Sequence, residues 1–258
     1  MIRAALIAIG LLLAMPAKAA TFVLVHGAYQ DANAWGHVVQ TLTENGHTVR
    51  AIDLPGHGRN RAPAASLTLI HYRDAVMRTI TTRREKVILV GHGSSGVVIS
   101  AVAEAIPERI ASLVYVSAYL PKDGQSIMDL SLADRGKAIT VANWQTDRDK
   151  TIGAVAAPDR AAVFCGDCNG AFQAYILQHF QPEPLRPMSD KVRLTQRRFG
   201  QVPKAYVFTT LNRAISPAHQ RAMAADPRIR SYTMNTSHSP FFTQPDNLSA
   251  ILMAEVGR

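Results

Sequence analysis

The chain has 258 residues, 47% of them hydrophobic and 18% charged, and its 16 glycines and 14 prolines are spread out. That is an ordinary globular composition and excludes collagen-like, low-complexity and disulfide-dense classes. The formal charge of +9 is scattered over short pairs such as Arg83-Arg84 and Arg197-Arg198, with no basic stripe interleaved with aromatics, so nucleic acid is not an expected partner.

Residues 1–20 combine Arg3, an apolar run from Ala4 to Met15 and the small-x-small site Ala17-Lys18-Ala19, as secretory signals do. The run is short for a bilayer span. A secreted or periplasmic protein is expected, with no stable membrane insertion once the leader is removed. Thr21-Phe-Val-Leu-Val25 is then a continuous apolar run opening into His26-Gly27-Ala28, the pattern of a strand buried on both faces. A helix is predicted around Val38 to Leu42 and a strand over Thr48 to Asp53, closed by the turn Leu54-Pro-Gly-His-Gly58. Leu69 to Thr81 has helical spacing, Lys86 to Val90 reads as a strand, Val97 to Ala105 as a helix, and Leu113 to Val116 as another strand. This alternation predicts an α/β fold with a mostly parallel, doubly wound sheet.

From residue 121 to about 200 the rhythm stops, in a stretch too long for a bare connection that reads as an inserted helical cap. The alternation resumes with strands near Lys204 to Phe208 and Ile229 to Met234, and helices near Ala218 to Ala225 and Leu248 to Val256. The expected organisation is therefore a signal peptide (1–20), a first core part (21–120), the cap (121–200) and a second core part (201–258). Within the cap lie the only cysteines, Cys165 and Cys168. A small-loop disulfide, free thiols and a redox pair all fit the C-x-x-C spacing; zinc would need a second ligand pair, and none stands at metal-site spacing. No cofactor or metal is expected.

Val87-Ile-Leu-Val-Gly-His-Gly-Ser-Ser-Gly96 has the form of a nucleophile elbow, a strand ending in a sharp turn that lifts a serine above the sheet between small residues. Gly93 stands where that serine belongs. With His26-Gly27-Ala28 and Thr236-Ser-His-Ser-Pro240 it makes three loops at carboxyl ends of strands, where ligands bind in open α/β sheets.

These segments, with Asp53-Leu-Pro-Gly-His-Gly58, Ser117-Ala-Tyr-Leu-Pro121, Asp167-Cys168 and Pro182-Glu-Pro-Leu185, resemble the α/β-hydrolase superfamily, in the branch of hydroxynitrile lyases and plant methyl salicylate or methyl jasmonate esterases. The resemblance implies that His238 is the general base, that Gly93 occupies the nucleophile position, and that Asn212 stands where the triad aspartate belongs. It puts the oxyanion-hole amides at Ala28 and Ser94, which survive side-chain substitution. Ser94 is the alternative nucleophile if the turn slips by one residue, and Asp123 is a possible substitute acid. His26, His57 and His92, in glycine-bearing turns, read as structural. The expected function is a small-molecule ester hydrolase with a degenerate triad and weak or redirected activity. The rivals are a non-catalytic binder of a small ester or carboxylic acid and, third, a lyase of the hydroxynitrile type.

Overall fold

The computed structural model describes residues 19–81 and 85–258, so residues 1–18 of the predicted leader and the Arg83-Arg84 pair lie outside the described residues. Six strands form one parallel sheet: β1 (Thr21–Val25), β2 (Thr48–Ile52), β3 (Val87–His92), β4 (Ile110–Val116), then β8 (Lys204–Thr209) and β9 (Arg230–Met234), in the spatial order β2-β1-β3-β4-β8-β9. β1 is flanked on both sides, pairing Val25 with Ile52 and with Gly91.

The inner strands β1, β3, β4 and β8 are largely buried on both faces because their apolar residues serve two cores at a period of two. Phe22, Leu24, Ile88, Val90, Val114 and Val116 face helices α1 (Gly36–Glu44) and α10 (Pro245–Met253). Val23, Val25, Leu89, Leu113 and Tyr115 face α2 (Leu69–Thr81) and α3 (Ser95–Ala105). Each such side chain contributes roughly 1.5–3 kcal/mol on burial. The last helix starts earlier than its hydrophobic spacing suggested, because Pro245 supplies a pre-set first turn.

The segment between β4 and β8 holds the helices α4 (Ile127–Ala133), α5 (Ala157–Phe164), α6 (Gly170–His179) and α7 (Leu185–Ser189). The helical cap read from the sequence also carries short strands. An antiparallel sheet of β5 (Trp144–Thr146), β6 (Ile152–Val155) and β7 (Glu183–Pro184) runs through it. Strands of two to four residues fall below the length at which alternation is detectable. α8 (Pro217–Met223) follows β8, and a one-turn helix α9 (Pro240–Thr243) follows the His238 loop.

Cys165 and Cys168 are joined by a disulfide between α5 and α6. No described helix is long and apolar enough to cross a membrane.

Candidate functional site

β3 delivers Gly93 to the apex of the elbow. Gly93 has φ of +54°, the left-handed conformation that a nucleophile elbow demands and that glycine adopts without steric cost. Its amide donates to the Val116 carbonyl (3.3 Å) and its carbonyl accepts from Tyr119 (2.9 Å) and Gly96 (3.3 Å). At Gly96 a side chain would strike the Tyr119 carbonyl, which is why a small residue stands there. Ser94 already has helical angles, φ −61° and ψ −30°, and its hydroxyl makes no cap bond. The turn therefore sits at Gly93 with no one-residue slip. Ser94 turns a face to the same cavity as Gly93 and His238.

A Cβ at Gly93 would lie 3.2 Å from His238 Nε2, so the imidazole stands directly against the apex of the elbow. Its backbone is held by His92, whose Nε2 donates to the His238 carbonyl at 2.9 Å. Its other nitrogen, Nδ1, lies 3.1 Å from Asn212 Nδ2 and 3.4 Å from Ser117 Oγ. Asn212 is buried and its amide orientation is determined: Oδ1 accepts from the Ala214 and Ile215 amides, both at 2.9 Å. A flipped amide would set its NH2 against two N–H donors. Nδ2 thus faces Nδ1 and shares its two N–H groups among Nδ1, Ser117 Oγ (2.6 Å) and Thr209 Oγ1 (2.9 Å).

That orientation bears on the imidazole's tautomer. An amide nitrogen only donates, so this contact favours the tautomer in which His238 Nδ1 accepts and the ring proton is on Nε2. Burial, reinforced by the neighbouring His92, holds the His238 pKa well below the ordinary histidine value, so the ring is neutral. A neutral ring with Nε2–H is a hydrogen-bond donor toward Gly93. A carboxylate in place of the Asn212 amide would accept from Nδ1 and select the opposite tautomer.

Ser117 and Thr209, which sequence reasoning did not single out as site residues, form a hydroxyl pair 2.6 Å apart beneath this contact. Ser117 has φ of +51°, a strained conformation for a non-glycine residue of the kind that accumulates at functional sites. A serine after a strand carries no pattern that would have revealed it. Asp123, the possible substitute acid, is exposed and accepts the Leu194 amide (2.9 Å); the neighbours of His238 Nδ1 are Asn212 and Ser117 instead. Asp167, between the cysteines, accepts from the Ser237 amide (3.0 Å) and hydroxyl and from Thr243 Oγ1 (3.3 Å), tethering the residue next to His238.

The amides of Ala28 and Ser94 have no acceptor among the described residues, and both residues line one cavity of about 210 Å³ with Gly93 and His238. Most of its remaining wall is apolar, including Met128, Leu132, Ile139, Trp144, Phe164 and Met188. Tyr29, stacked on Phe180 with centroids 4.6 Å apart, closes one side.

The other turn histidines stay out of the cavity wall. His26 accepts the Leu54 amide at Nε2 (3.0 Å) and donates from Nδ1 to the Gly27 carbonyl (2.8 Å). His57 pairs with Glu183 of β7 at 3.0 Å, and the same carboxylate accepts from the Tyr29 amide (3.2 Å) and the Tyr72 hydroxyl (3.1 Å). Burial opposes both charges of that pair, but their attraction prevails: His57 is held above and Glu183 below its ordinary value. The cluster joins the segment after β4 to the loops after β1 and β2.

Burial lowers His26 to about 3, with His57 adding to the effect, and His92 to about 4. Unfolded histidines take up a proton near 6.5, so the unfolded state binds more protons between there and the folded values. Stability is therefore complete above about pH 6.5 and is lost as pH falls from about 6.5 toward 4. His92 alone accounts for about 3 kcal/mol across that window; His57, shifted the other way, offsets part of the sum. Urea midpoints measured from pH 8 to pH 4 are expected to fall steeply below 6.5. A flat profile would mean that these rings are charged in the native state.

The profile of the alpha/beta hydrolase family matches residues 22–251, and the chain belongs to that family. Within it the chain is esterase-like. It is 31% identical over 245 residues to putative methylesterase 14, chloroplastic, of Arabidopsis thaliana, an alignment covering 90% of this chain and 70% of that protein. An extracellular alpha/beta-hydrolase from a Paenibacillus species is similar in structure, with a TM-score of 0.78 and 26% identity over 93% of this chain and 99% of that one. So is a histidine-to-alanine variant of tomato methylketone synthase I in complex with β-ketoheptanoate, with a TM-score of 0.81 and 23% identity over 92% and 97% of the two chains.

Proposed function

We propose that this protein is an esterase-derived receptor for a small, largely apolar ester or carboxylic acid, in which the covalent acyl-enzyme cycle has been lost. The observation that carries the reading is the orientation of Asn212. With its NH2 on His238 Nδ1, the imidazole offers an N–H to a ligand oxygen and no lone pair to a nucleophile. Loss of the triad serine costs about 10⁶-fold in turnover, while an oxyanion hole and binding retain roughly 10³- to 10⁴-fold over water. Slow hydrolysis of activated esters is what such a site retains. The methylesterase relatives support an ester- or acid-shaped ligand, and the leader with the Cys165–Cys168 bond supports an exported protein.

A second reading follows from the same donors. Two amides and an imidazole N–H around one carbonyl oxygen stabilise an enolate, and a β-keto acid forms one by losing CO2 without nucleophile or base. The bond to the carboxylate breaks, its electron pair passes to the keto oxygen, CO2 leaves, and the enolate carbon is then protonated. The tomato synthase variant of the same fold holds β-ketoheptanoate, which makes that acid the probe for this chemistry.

Incubation of the purified protein with p-nitrophenyl esters, methyl esters and β-ketoheptanoate, beside His238→Ala and with parallel calorimetry, tests both. The first reading expects saturable binding with hydrolysis near background; methyl ketone and CO2 formed at a His238-dependent rate would establish the second. Fast ester hydrolysis abolished by His238→Ala would overturn both in favour of a working general base.

A further inference from the structure

We propose that the ligand carries a carboxylate in addition to the carbonyl group at the Gly93 end, and that Lys137 receives it. The inference rests on the pocket reading above and narrows it to an anionic class of ligand, such as the half-ester of a dicarboxylic acid.

Lys137 is the only lysine or arginine on the cavity wall among the described residues, and no aspartate or glutamate lines that cavity. It is half-buried and shares the wall with Met128, Ser131, Ile139 and Thr140 and with the exposed Leu132 and Val141. Its Nζ makes one hydrogen bond, to the Asp134 carbonyl at 3.1 Å, and has no carboxylate within ion-pair distance among the described residues. The nearest acid in sequence is already spent. Asp134 accepts the Ser216 hydroxyl (2.6 Å) and Gly136 amide (3.0 Å) on one oxygen and the Ser216 amide (2.7 Å) on the other.

An ammonium has three donors, and two of these remain for a ligand. A lysine that merely covers apolar surface with its stem keeps its head in water; this one is turned to a cavity wall and anchored there by a backbone carbonyl. A half-buried cation without a carboxylate partner, on a wall that is mostly apolar, attracts an incoming anion more than the same charge in bulk water does. The neutral His238 N–H and the two free amides hold the carbonyl oxygen, so the cavity has one polar end for a carbonyl and one cationic residue for an acid, with apolar wall between.

Calorimetric titration of the full chain with monomethyl adipate and dimethyl adipate, at low and high salt, tests this. The half-ester is expected to bind about 10-fold tighter than the diester, with the preference shrinking in high salt. Lys137→Met should abolish that preference and Lys137→Arg should keep it. An unchanged ratio in Lys137→Met, or a wild-type preference for the diester, overturns the role of Lys137 while leaving the pocket reading intact. Binding of neither compound to the wild-type protein overturns the pocket reading and this inference with it.

Discussion

Gly93→Ser combined with Asn212→Asp is expected to raise hydrolysis of p-nitrophenyl acetate by about 10⁴-fold or more, because triad members act as a unit and the remaining parts are in place. A serine Cβ at position 93 would lie 3.2 Å from His238 Nε2, a tight contact that the ring must relieve by a small shift and that leaves the hydroxyl within reach of that nitrogen. An aspartate oxygen in place of Asn212 Nδ2 would accept from His238 Nδ1, moving the ring proton there and freeing Nε2 to act as a base. Each single substitution should recover little: one supplies a nucleophile beside a donor, the other a base with nothing to activate. A serine at φ +54° costs about 1–3 kcal/mol of backbone strain, so the double variant should also be slightly less stable. A phosphonate that labels active serines should mark position 93 in the double variant. Background rates in a folded double variant would show that the ligand carbonyl does not reach the elbow.

Glu183→Ala is expected to cost about 3–5 kcal/mol, because removing one partner of a buried pair strands the other. His57 would be left beside His26 without a counter-charge, and the Tyr29 amide and Tyr72 hydroxyl would lose their acceptor. Tyr29 adjoins Ala28, so ligand affinity should drop together with the urea midpoint. Glu183→Gln keeps an acceptor and should cost less. A Glu183→Ala loss below about 1 kcal/mol would mean that the cluster is an incidental pairing.

The parallel sheet was legible because its inner strands are buried on both faces and read as apolar runs, β1 and β3 most clearly. The segment between β4 and β8 was not, since its strands pair residues far apart in sequence: Ile152 with Pro184, for instance. At the site, position 93 could be read from the elbow, whereas Asn212 and His238 came from a resemblance. What the imidazole does depends on which way an amide points, and that is set by the Ala214 and Ile215 amides, a matter of tertiary geometry without a residue signature. Glu183 was visible only as part of a Pro-Glu-Pro motif, and nothing near it in sequence announces His57 or Tyr72. Lys137 lay unremarked in a polar stretch, because a lysine is ordinary until its surroundings are known.

The short ring closed by Cys165 and Cys168 holds more than two helices together. Its one carboxylate, Asp167, reaches out of the ring to the Ser237 amide and hydroxyl and to Thr243, and the next residue after Ser237 is His238. Cys165 and Cys168 are both buried in the core, so the ring is a firm mount, and the carboxylate fixed on it clamps the loop that carries the histidine. A covalent ring of four residues outside the cavity thus helps to set where the imidazole stands.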